Sequence, residues 1–183
     1  MSAAFSIVCI RPKVISKSGP EQIKALNPFV RNEAETICFS QGIMTETCSA
    51  GGLDVGNIEK GDYIKVKGVD FGSGANKFTA SVASATEGGT IEIHTDSVSG
   101  PIIGTCKVSN TGGWQQWQEI TSNVNVKGEH DLYFVFNGGD GYLLNMDWWK
   151  FTSSSSDSVS DTNNVTASNN SSGAYLLHDT FEN

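Results

Sequence analysis

Glu59-Lys60-Gly61-Asp62, then Tyr63-Ile64-Lys65-Val66-Lys67-Gly68-Val69, then Gly72-Ser73-Gly74, then Lys77-Phe78-Thr79-Ala80-Ser81-Val82-Ala83 is the stretch that decides the fold. Turn residues bracket two short runs, and the first run alternates polar with apolar positions. A period of two is the signature of a strand with one buried face. Working outward, the same texture recurs. Phe29 to Glu35, Thr90 to Thr95, Ile102 to Val108, Gln115 to Ile120, His130 to Phe136 and Asn145 to Phe151 read as further strands. Glu87-Gly88-Gly89, Val98-Ser99-Gly100-Pro101, Val126-Lys127-Gly128 and Gly138-Gly139-Asp140-Gly141 supply the turns between them. No stretch sustains a helical period. Short, evenly spaced strands predict an all-β fold, an antiparallel β-sandwich.

Composition narrows the function. The 183 residues include 20 glycines and carry a net charge of −8. A nucleic-acid partner would require a basic face, so that class is set aside. No apolar run is long enough to span a membrane. Met1 to Ile10 lacks a leading positive charge and a small-residue cleavage site, so it is a poor signal peptide. The four cysteines have no zinc-binding spacing. Cys38 and Cys48 are placed either to bridge across a hairpin or to sit as buried thiols.

Four segments are expected. Residues 1–27, with Arg11-Pro12 and Gly19-Pro20, read as an incoming linker, and residues 28–152 as the folded module. Residues 153–173 are Ser, Asn, Asp and Thr almost throughout, a composition that cannot bury a core. Apolar residues return over 174–183, as at the first strand of a following module.

Trp114 follows Thr111-Gly112-Gly113, so its indole has no neighbouring side chain to cover it. A presented indole suits the apolar face of a sugar ring. Trp117, three residues on, is expected to pack on the opposite side. Asn145, with two donors and two acceptors, matches vicinal hydroxyls or braces a turn. Tyr142 follows the glycines of 138–141 and is a second ligand candidate. Asn145, Asp147 and Trp149 are expected on one strand face, with Met146 and Trp148 on the other.

Glu33 and Glu35 flank Ala34 in an expected strand, on one face roughly 6–7 Å apart. Three readings stand: a hard-cation site, with Asp147 as third carboxylate; a solvated edge; or a glycosidase pair. A catalytic pair normally needs unequal surroundings to split its pKa values, which neighbours on one strand lack. His94, His130 and His178 have no metal-ligand spacing, and His94 is expected on an exposed strand face. There is no Gly-x-Ser-x-Gly elbow and no phosphate-binding glycine loop, in keeping with a binding module rather than an enzyme.

An ordered set of motifs carries a resemblance: Glu33-Ala34-Glu35, Gly61-Asp62-Tyr63-Ile64, Val69 to Ala75, Gly89 to Ile93, Thr111 to Trp114, Gly128 to Tyr133, and Asn145 to Trp149. Together, over Asn27 to Thr152, they resemble a family 6 carbohydrate-binding module. The resemblance implies a jelly roll, a structural Ca2+, and a non-catalytic module joined to a secreted glycoside hydrolase; the module is expected to be monomeric. The resemblance places the ligand site in the loops at one end. There Trp114 matches the stacking Trp and Asn145 the hydrogen-bonding Asn, while Glu33, Glu35 and Asp147 match the calcium carboxylates. A main-chain carbonyl from the Gly51 to Asn57 loop is implied to complete the metal site. The family's opposite wall is often Tyr. Here that position is Asn57, and an amide cannot sandwich a pyranose, so Tyr142 is the candidate replacement. The run Asn27 to Thr36 looks similar to modules that follow family 43 arabinofuranosidase or xylosidase domains, which points to xylan or arabinoxylan. A spacer with lost binding and a β-glucan binder are the alternative expectations.

Overall fold

The computed structural model describes residues 14–16, 19–21 and 24–154. Its strands, in chain order, are β1 (Val14–Ser16), β2 (Gly19–Glu21), β3 (Asn32–Glu33), β4 (Phe39–Gln41), β5 (Met44–Thr47), β6 (Leu53–Ile58), β7 (Tyr63–Asp70), β8 (Ala75–Ser84), β9 (Gly89–Thr95), β10 (Ile102–Val108), β11 (Gly113–Val126), β12 (Glu129–Gly138) and β13 (Leu144–Ser153). One sheet runs β10-β9-β12-β7-β4. The other runs β11-β8-β13-β6-β5, with β3 also paired to β13. Pairing within both sheets is antiparallel. The architecture is the expected sandwich.

Alternation explains the layers. In β7, Ile64 and Val66 point inward and Lys65 and Lys67 outward. Between the sheets lies a ladder of aromatic rings. Phe71 meets Phe151 edge-on at 4.9 Å between centroids, Phe78 lies 5.1 Å from Phe151, and Phe134 lies 5.3 Å from Trp149. Each such pair adds about 0.5–1.5 kcal/mol to the burial term.

β13 does not follow the expected face alternation. A bulge shifts its register against β8 between Met146, opposite Val82, and Trp148, opposite Ser81. The extra residue reverses the alternation. Met146 and Trp149 therefore both join the core, as does Phe151. Trp149 does not share the face of Asn145. Trp148 lies beneath two cations, with the Arg31 guanidinium 5.4 Å and the Lys150 ammonium 5.3 Å from its ring.

The first expected strand also differs. Only Asn32–Glu33 is extended, because the Glu33 carbonyl accepts the Thr36 N–H at 3.0 Å and turns the chain. Glu33 and Glu35 thus do not lie two apart on one strand face. Residues 39–58 form three strands where none was expected. Of the expected incoming linker, β1 and β2 pair with each other, and Leu26 bridges to Val69. The expected linker and following module beyond Ser154 lie outside the described residues. His94 is buried rather than exposed, with Nδ1 3.0 Å from the Gly100 carbonyl oxygen.

Truncating Phe134, which contacts both Phe78 and Trp149, is expected to cost about 3–5 kcal/mol, as large-to-small aromatic changes in cores do. Urea unfolding of Phe134→Ala should show this as a lowered midpoint with an unchanged slope.

Candidate functional site

The four residues expected to touch ligand meet. Trp114, Asn145, Asn57 and Tyr142 line one cleft of about 240 Å³, together with Glu46. They come from three regions of the chain, β6, the start of β11 and the approach to β13, and each is held there by a local device.

Trp114 opens β11. Between Gly113, opposite Ser84, and Gln118, opposite Val82, β11 has more residues than β8, so the Trp114–Trp117 segment bows away from its neighbour. Strand alternation does not apply across this bulge. The approach is pinned by the Ser84 N–H donating to Thr111 Oγ1 at 2.8 Å and the Thr111 N–H to the Ser84 carbonyl at 2.9 Å. Gly112 then turns the chain at φ 101°, a backbone region hostile to side chains. Trp117 is half-buried rather than core. Its Nε1–H donates to Ser49 Oγ at 3.0 Å, so it packs onto the turn after β5.

Tyr142 stands edge-on to Trp114, with centroids 6.5 Å apart and planes at 84°. Its loop is tied down where Thr86 Oγ1 donates to the Tyr142 carbonyl at 3.0 Å and Ser84 Oγ to the Leu143 carbonyl at 2.7 Å. The aromatic surface is a corner of two perpendicular rings, not two parallel walls. Asn57 occupies the remaining wall in a left-handed conformation, φ 55°, which Asn tolerates better than most residues.

Asn145 is set by two acceptors. Its Nδ2 donates to Glu46 Oε1 at 2.7 Å and to the Trp114 carbonyl at 3.2 Å. Both amide hydrogens are therefore used inside the protein, and the side chain offers a ligand only its oxygen. The expected donor-and-acceptor match to vicinal hydroxyls becomes an acceptor role alone. Gly56 makes room for this arrangement. A Cβ there would lie 3.1 Å from Asn145 Oδ1 and 3.3 Å from Glu46 Cδ.

Glu46 was not legible as a site residue. It sits in the polar run Thr45-Glu46-Thr47, and its partner Asn145 is 99 positions away. Behind it, Gln115 Nε2 donates to Asp54 Oδ2 at 2.7 Å and to Glu46 Oε1 at 3.2 Å. Asp54 is buried, and its Oδ1 has no hydrogen-bond partner. Burial pushes its carboxyl up to about 6, with smaller contributions from the charges of Glu46, Asp147 and Glu35.

The expected calcium carboxylates are less well gathered. Glu33 forms a two-pronged pair with Arg31, at 2.8 and 2.9 Å. The same guanidinium lies 3.5 Å from Asp147 Oδ1, and the Cys48 thiol donates to that oxygen at 3.6 Å. Cys48 is accordingly a thiol, not half of a bridge to Cys38. Asp147 is almost wholly buried, and burial raises its pKa against the opposing pull of Arg31. Glu35 Oε2 is buried without a partner. Among the described residues, no three acidic, His or Cys side chains gather tightly enough to hold a metal. The donor set nevertheless fits a hard cation chemically: three carboxylates, one with an orphaned buried oxygen.

A second groove, about 480 Å³, lies between β4 and β5 and is lined by Glu35, Ile37, Phe39, Ile43 and Met44 among others. Although larger, it gathers none of the expected ligand residues. The smaller cleft has the chemistry.

A β-sandwich with a partly exposed aromatic corner and polar side chains converging from its strand ends on one cleft defines a sugar-binding module. Residues 33–153 match the family model described as carbohydrate binding module (family 6), and the chain belongs to that family. It is 46% identical over 143 residues to an arabinoxylan arabinofuranohydrolase of Paenibacillus polymyxa, a match covering 74% of this chain and 22% of that enzyme. The chain thus spans about a fifth of that relative's length. A solved family 6 module from Clostridium cellulolyticum, in complex with xylose, is 50% identical, with a TM-score of 0.68 over 69% of this chain and 99% of that one. A β-1,3-glucan-binding module of the same family from Bacillus halodurans is 41% identical, with a TM-score of 0.69 over 71% and 100%. The family is one of non-catalytic binding modules, so the glycosidase reading of Glu33 and Glu35 falls away.

Asp54 gives a pH test. Its folded pKa lies above its unfolded value of 3.8, so the folded state favours the protonated form. Stability therefore falls as pH rises from about 4 to about 6, and the penalty is fully present above that. Asp54→Asn should raise the melting temperature at pH 7.5 and lose that advantage at pH 4, as read by scanning calorimetry.

Proposed function

We propose that this module binds neutral, β-linked plant polysaccharide, xylan or arabinoxylan foremost, and holds an attached glycoside hydrolase, of the family 43 type, against its substrate. The observation that carries this reading is the convergence of Trp114, Tyr142, Asn57, Asn145 and Glu46 on one cleft. The indole face stacks on a pyranose, while Asn145 and Glu46 accept its hydroxyl hydrogens. A linked binding module raises the local substrate concentration seen by a catalytic domain without adding a catalytic contact. The 46% identity to an arabinoxylan-acting enzyme and the 50% identity to a xylose-bound module favour xylan over other glycans. A polymeric substrate that cannot enter a cell places the work outside it, and the module acts as a monomer.

The cleft is below the roughly 300–1,000 Å³ of typical small-molecule sites, so it engages few sugar units. With Asn57 in place of an aromatic wall, stacking rests on Trp114. That substitution favours a second reading, a spacer whose binding has faded, and the similarity to a β-1,3-glucan binder favours a third ligand class. Calorimetric titration with xylan, laminarin and cellulose oligosaccharides separates all three.

Calcium belongs to the same proposal. Glu33, Glu35 and Asp147 would hold it, Arg31 giving up its hold on the half-exposed Glu33, and the ion would neutralise the buried Asp147 carboxylate and the buried Glu35 oxygen. The unpartnered Glu35 oxygen and the buried Asp147 support it.

Trp114→Ala should abolish retardation in affinity gels containing soluble arabinoxylan. Retardation equal to the parent protein would move the site off this cleft. A metal that binds only the folded state adds stability by linkage. Chelation should therefore lower the melting temperature and added Ca2+ restore it; an unmoved transition would remove the metal from the account.

A further inference from the structure

We propose that Gln115 is the positioning residue of the cleft: it clamps Glu46 so that Glu46 and the Trp114 carbonyl together lock the Asn145 amide with its oxygen toward the ligand. The proposal rests on the cleft being the sugar site.

The contacts form one chain. Gln115 donates from Nε2 to Glu46 Oε1 and to Asp54 Oδ2, and its own Oε1 accepts the Ser49 N–H at 2.7 Å. Its carbonyl accepts Ser49 Oγ at 3.2 Å. Every polar group of the side chain is thus engaged, and the amide cannot flip without pairing oxygen against two carboxylates. Glu46 Oε1 then receives a second donor, Asn145 Nδ2. Glu46 sits on the exposed strand β5 and has no ion pair among the described residues to hold it. On an exposed carboxylate, two converging amide donors are what fix its position. The consequence lies one residue further on. An Asn with a free choice of orientation presents a mixture of donor and acceptor. Held by Glu46 and Trp114, it presents acceptor only. Gln115 directly follows the stacking Trp, so one short segment supplies the platform and orients the acceptor facing it.

This makes Gln115 a residue that changes binding without touching sugar. The test uses the whole chain, with xylotriose as probe. In Gln115→Met the size is kept and the amide lost. Xylotriose affinity should fall about tenfold by calorimetry. In the ligand-free protein, the Asn145 side-chain amide signals, assigned by their loss in Asn145→Asp, should lose their protection from exchange. That readout needs no ligand, so it stands even if xylotriose fails to bind the parent protein, an outcome that would strike the functional proposal instead. Gln115→Glu supplies the second arm. It places a carboxylate against Glu46 and Asp54 above pH 7, and a protonated acid able to donate at pH 4.5. Relative to the parent at each pH, it should show the defect at pH 8 and largely recover at pH 4.5. Unchanged Asn145 amide exchange in Gln115→Met, or a defect in Gln115→Glu equal at both pH values, would overturn the positioning role and leave Gln115 a merely structural residue.

Discussion

Strand β13 carries the molecule, and the bulge between Met146 and Trp148 is the constraint on which the rest depends. β13 pairs with β3, β6 and β8 and sits at the centre of its sheet. A regular strand could give the core only every second residue. By slipping one position, β13 sends Met146, Trp149 and Phe151 into the core, yet keeps Asn145 at the cleft and aims the Asp147 carboxylate at Arg31 and Cys48. Core, ligand site and carboxylate cluster are three outputs of one irregularity. Bulges recur beside functional sites because they redirect a side chain without breaking the sheet.

The cleft is built on polar economy. Asn145, buried in the cleft wall, spends both donors, and Gln115 spends its whole amide, so only oxygen acceptors of Asn145 and Glu46 remain to meet a ligand. Such a surface pairs with hydroxyl hydrogens and repels carboxylates, which agrees with a chain of net charge −8 and a neutral ligand. The aromatic part is equally spare. Trp114 offers a face and Tyr142 an edge, and Asn57 closes the third side with an amide held at positive φ. Orientation comes from hydrogen bonds that are already made before a sugar arrives, which lowers the ordering cost of binding.

The sandwich was legible because β7 alternates and β9, β10 and β12 are short apolar-rich runs, all punctuated by glycine turns. β4, β5 and β6 were not, since they run three, four and six residues, and β5 is exposed along its whole length. An exposed edge strand carries no hydrophobic period to read. The residues Trp114, Asn145, Asn57 and Tyr142 came from family resemblance and local glycine context, and they do converge. Glu46, Gln115 and Asp54 came from neither. Their role exists only through contacts between distant strands, and nothing in Thr45-Glu46-Thr47 marks the middle residue as special. The bulge defeated the facing argument for Trp149, and a turn at Glu33 defeated it for Glu35, because both arguments assumed unbroken strands.

Everything proposed for this chain turns on sugar sitting in the cleft, on Trp114. A nitrogen–proton NMR titration of the chain with xylotriose tests it. Saturating shifts are expected at Trp114 Nε1–H, Asn57, Tyr142 and the Asn145 amide, with the outer face of the five-stranded sheet silent. Shifts centred instead on Tyr63 and Tyr133, whose rings lie 6.1 Å apart on that outer face, would contradict it.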